Sequence, residues 1–104
     1  VVVTPQAFNL TLSHKVPPRA LAAPLTALWW AKKGDWEKAH RIVMDEAGQD
    51  AAWVHAYLHR VEGDLGNAGY WYRQAHKPAA TGDLDAEWAA MVEALLQAGE
   101  KRTK

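Results

Sequence analysis

Cysteine is absent from this chain of 104 residues, which removes disulfides, thiol nucleophiles and cysteine-ligated zinc and fits a reducing compartment. Serine is almost absent as well, with Ser13 alone. No nucleophile elbow and no Gly-rich phosphate loop can be drawn, so catalysis is not expected and no catalytic residue is assigned. Asp83 and Asp85 form a pair of acids, but at the start of a helix they suit the dipole without any chemistry.

Net charge is missing too. Twelve Lys and Arg balance twelve Asp and Glu, so no overall field draws the chain to nucleic acid or to an anionic membrane. The basic run Lys101-Arg102-Thr103-Lys104 reads as a solvated tail. No stretch approaches the roughly 20 apolar residues that span a bilayer, and the first residues lack the layout of a signal peptide. The expected location is cytoplasmic, which leaves the triplet Asn9-Leu10-Thr11 without meaning as a glycosylation acceptor.

Six Trp, three Tyr and one Phe are abundant for this length, and the charged share of 23% beside a hydrophobic share of 49% suits one domain over 1–104. The chain repeats itself. Gly34-Asp35-Trp36-Glu37-Lys38-Ala39 aligns with Gly63-Asp64-Leu65-Gly66-Asn67-Ala68 at a displacement of 29 residues. Each Gly can close one helix in the left-handed conformation, and each Asp can cap the next. Apolar residues flank both turns at helical spacing: Leu21, Leu25, Leu28 and Trp29 before the first, with Trp36, Ala39, Ile42 and Val43 after it. Around the second stand Val54, Tyr57, Leu58 and Val61, then Leu65, Ala68, Trp71, Tyr72 and Ala75. Two helical hairpins follow, over about 20–48 and 51–77.

Small residues fall where the helices of a hairpin approach, with Ala27 opposite Ala39 and Ala56 opposite Ala68. This arrangement resembles the tetratricopeptide repeat over about Ala20 to Lys77. The second copy carries the resemblance best, through Tyr72 and Ala75; in the first, Val43 and Glu46 stand in their places. The period departs from the family's length of about 34 residues, and no Pro ends the first copy. The resemblance implies an all-α superhelix of two hairpins in which the first helix of each lines a concave face. Segment Trp53 to Ala75, with its HAYLHR-EGD-NA-YWYR pattern, also resembles a group of small bacterial proteins of uncharacterised function, which transfers no activity.

One helix is expected at each end. Thr4-Pro5 suits an N-cap and first turn of a helix to about Leu12, and Gly82-Asp83-Leu84 opens a last helix, about 83–99, with Leu84, Trp88, Met91, Leu95 and Leu96 on its apolar face. These two helices should cover the two ends of the stack.

His55, His59 and Glu62 lie within about 60° of one another on one helix. Two imidazoles at i and i+4 can chelate one ion, but Glu62 is about 10.5 Å from His55 along the axis, so one ion cannot take all three. A metal site on His55 and His59 would need His40, His76 or an acid from another helix, and Arg60 and Arg73 favour ion pairs with Glu62 or Asp64. The plainest expectation is therefore a polar network with no metal and no cofactor. Trp29 and Trp30 point about 100° apart, so part of the aromatic surface should stay exposed.

The functional expectation is a non-catalytic module that binds a protein or peptide partner along the concave face, using Trp30, His55, His59, Glu62 and Trp71. The alternative is a small metal- or ligand-binding protein, or an enzyme, centred on His55 and His59. A homodimer sealed by exposed Trp is a third possibility.

Overall fold

A computed structural model describes residues 4–102, the side chains of 99–102 excepted. The basic run Lys101–Lys104 lies outside the described side chains. Among the described residues the chain is all-α: α1 (Pro5–Leu10), a 3-10 turn (Thr11–Ser13), α2 (Ala23–Lys32), α3 (Trp36–Met44), α4 (Gln49–Val61), α5 (Leu65–Gln74) and α6 (Leu84–Arg102). No helix of the described residues is long and apolar enough to cross a membrane.

The two Gly-Asp turns join α2 to α3 and α4 to α5 as the repeat requires. Gly34 and Gly63 hold φ of 93° and 89°, a region that side chains with a Cβ rarely enter. The following N–H groups reach back in parallel, Asp35 to the Trp30 carbonyl and Asp64 to that of His59, both at 2.9 Å. Each Asp then accepts from the third residue on, Asp35 from Lys38 at 3.1 Å and Asp64 from Asn67 at 3.2 Å. Ala27, Ala39, Ala56 and Ala68 are all buried, and their size lets the paired helices approach. Thr4 and Asp83 cap α1 and α6 in the same manner.

The expected stripes are buried or half-buried with two exceptions. Val61 and Leu65 are 41% and 68% exposed, because both flank the tip of the second hairpin. The residue aligned with Leu65 is Trp36, which is half-buried against α4 of the following hairpin; among the described residues no further hairpin packs on Leu65 in the same way.

A second correction concerns the flanking helices, which do not close opposite ends. They meet, with the Phe8 and Trp88 rings 5.9 Å apart. The face of α6 formed by Trp88, Met91, Val92, Leu95 and Leu96 is buried in the main core with Leu25, Leu28, Val54 and Leu58, so it lies across α2 and α4. A stripe that wide gains more from two helices than from the end of a stack. Thus α6 fills the side on which the first helices of both hairpins would have formed an open groove.

Polar contacts fix α6 there. Trp88 Nε1 donates to the Leu28 carbonyl at 2.8 Å, and Arg60 pairs with Glu87 at 2.7 Å, with 12% and 9% of their side chains exposed. Arg60 also donates to the Gly82 carbonyl, and the Tyr72 hydroxyl to Glu87. Arg60 is therefore committed to α6 and not to Glu62 or Asp64. Glu87→Ala should lower the unfolding free energy by about 3–5 kcal/mol, since Arg60 would remain buried without a counter-charge. Asp85→Ala, which breaks only the exposed pair with Lys32, should leave the urea midpoint nearly unchanged. Equal midpoints for the two variants would contradict the role given to Glu87.

Candidate histidine centre between the hairpins

Helix α4 carries a nearly unbroken run of buried residues, Ala51 to His59 with Trp53 partly exposed. It touches α3, α5, α2 and α6. His55 and His59 point away from the α6 side, into the seam between the hairpins, and are 5% and 6% exposed. They do not line an open concave face as expected, because α3 and α5 close over them.

The covering residues are aromatic. From α3, Trp36 stacks on His40 with centroids 4.6 Å apart and an interplanar angle of 14°. This is the i, i+4 geometry of one helix face. The Trp36 indole N–H donates to the Leu58 carbonyl at 2.7 Å, which locks α3 onto α4. From α5, Trp71 stacks on His55 at 4.0 Å and 14°. Three histidines thus lie between two tryptophans.

Within that sandwich, His40 and His55 approach at 3.0 Å through their Nε2 atoms, one ring donating and the other accepting. The His40 ring is 5.1 Å from that of His59, and His55 and His59 stack at 4.9 Å. One nitrogen from each of the three falls within 4.8 Å of the others. His59 Nδ1 lies 2.7 Å from a Glu62 carboxylate oxygen. That contact assigns a ring N–H to Nδ1 and makes Nε2 the nitrogen that faces a metal, the arrangement of a ligating histidine with a supporting carboxylate.

Of the residues singled out in the sequence, His55, His59, Glu62 and Trp71 come together. Trp30 does not join them. Its ring packs edge-on against Trp29 under the Lys38 ammonium, 4.1 Å away. His40 meets the condition set for a third ligand, and His76 does not belong to the group. Trp36 was missed as part of the centre; its spacing of four from His40 was the available signal.

The cluster opens to one side. A cleft of about 440 Å³ has His55 and Trp71 in its wall, with Glu46, Gly48, Gln49, Gln74 and His76 around them. His76 holds a left-handed backbone at φ 57°, where a non-glycine residue is uncommon.

Burial, and then the charges His40 and His59 would carry, push His55 from 6.5 down to about 4. Burial lowers His40 also, against a smaller opposing pull from Glu62. His40 and His55 are therefore neutral at neutral pH, and each keeps a lone pair. In the unfolded chain His55 takes its proton near 6.5, but in the folded chain only near 4. Between these values acid favours the unfolded state. With EDTA present, stability should be whole above about pH 6.5 and fall towards pH 4 by on the order of 2 kcal/mol more than in His55→Phe. Parallel pH profiles for the two proteins, followed by urea unfolding, would contradict this assignment.

Comparisons with protein families, with characterised proteins and with solved structures give no match to this chain.

Proposed function

We propose that this chain is a small helical metal-binding protein whose ion is held by His40, His55 and His59. One observation carries the reading: imidazole nitrogens from two helices converge to within 4.8 Å at a buried seam. A tetrahedral zinc ion with bonds of about 2.0–2.1 Å sets its ligands about 3.3–3.4 Å apart. The 3.0 Å between His40 and His55 is close to that edge, and rotation of the rings closes the rest. With imidazole donors and no thiolate, the set suits zinc, copper, iron or nickel over magnesium or calcium.

Neutral rings favour binding, since a ligating imidazole must offer a lone pair. The proton between His40 and His55 can move to a ring Nδ1, so binding needs no net loss of a proton there. The polar-network reading accounts for the hydrogen bonds, but the buried His40 and His55 cost acid stability that apolar side chains would not. The partner-binding reading needs an open face on α2 and α4, which α6 covers. These points favour the metal reading over the interaction module.

Stripped with EDTA and titrated with zinc at pH 7.5, the protein should bind one ion per chain by calorimetry. At a free concentration of 100 times Kd the gain is about 2.7 kcal/mol, or roughly 10–20 °C in Tm for a domain of this length. His40→Ala should abolish the shift while keeping the helical circular dichroism. Zinc binding of equal strength in His40→Ala, or none in the parent, would overturn the proposal.

A further inference from the structure

Resting on the metal reading above, we infer that the ion keeps one coordination position for a small organic monoanion, a carboxylate with a planar apolar body, which enters through the cleft shared by His55 and Trp71. The ligand count points this way first. His40, His55 and His59 give three nitrogens, while Glu62 is engaged with His59 Nδ1. Structural zinc sites close with four protein ligands, whereas sites that receive a ligand keep three and leave the fourth position open.

Charge sets the ligand class. Three imidazole ligands bring no charge of their own, and Glu62 at His59 offsets only one of the ion's two positive charges, so a single negative charge at the fourth position is favoured. Glu46 on the cleft wall disfavours a second negative charge on the ligand, which selects a monoanion over a phosphate dianion.

Shape and lining give the rest. A volume of about 440 Å³ falls in the range of sites for small molecules, roughly 300–1,000 Å³. His55 belongs both to the ligand set and to the cleft wall, so the cleft leads to the ion by a single ring. Trp71, stacked on that ring at 4.0 Å, also lines the cleft and gives an apolar ligand body aromatic surface to pack against. Gln49, Gln74 and His76 stand at the same wall with hydrogen-bonding groups.

Cobalt(II) loaded into the full chain in place of zinc gives a visible spectrum that reports both binding and coordination. Benzoate and acetate should each shift the bands with saturation, benzoate binding at least tenfold more tightly, while inorganic phosphate at equal concentration leaves the spectrum unchanged. Trp71→Phe should weaken benzoate by about threefold or more and acetate less; His76→Ala, outside the ligand set, should keep the ligand-free spectrum and weaken both carboxylates. A cobalt spectrum that none of the anions alters would overturn the open position and leave the metal reading standing. A response to phosphate alone, or equal affinity for benzoate and acetate, would overturn the ligand class. Failure to bind cobalt or zinc at all would remove both proposals together.

Discussion

The burial of α4 from Ala51 to His59, with Trp53 alone partly exposed, constrains everything else in this fold. A helix so covered cannot have a polar face in the usual sense, and its polar groups must find partners within the protein. The three that α4 carries inward do so in two directions. Arg60 turns to α6 and pairs with Glu87, while His55 and His59 turn to the seam with α3 and α5. The first direction fixes the last helix across the hairpins. The second creates the only grouping of three histidines among the described residues.

Histidine at such a position is a different choice from an apolar residue. Its ring packs like an aromatic, as the stacks with Trp36 and Trp71 show, but it keeps a lone pair and a titratable proton. Burial removes the charge before it removes the lone pair. The same desolvation that keeps His40 and His55 neutral thus prepares them for a cation, and Glu62 at the edge, partly in solvent, orients the His59 ring from outside. Fold and chemistry meet in the Trp36 indole. Its bond to the Leu58 carbonyl fixes α3, and its ring holds His40.

Much of the fold was legible because it is written locally. Gly-Asp turns, apolar spacing and small residues opposite one another are properties of short segments, and they located both hairpins. What was not legible depends on contacts between distant segments. The apolar stripe of α6 was visible, but its site was not: nothing in the stripe itself distinguishes the end of a stack from the side of α2 and α4. Arg60 looked like a partner for Glu62 until Glu87, 27 residues away, proved nearer. In the site, the His55–His59 pair could be read from one helix, whereas His40 as its complement depends on how the hairpins dock. Leu65 shows the limit of the repeat as a guide, since a position covered in one copy is open in the last.

The account rests on three imidazoles sharing one ion, and the most direct test is zinc K-edge X-ray absorption on the protein loaded with one equivalent. It predicts a first shell of four light atoms at about 2.0–2.1 Å, with the outer-shell scattering of three imidazole rings. A shell of six oxygens, or scattering from one ring or none, would contradict it.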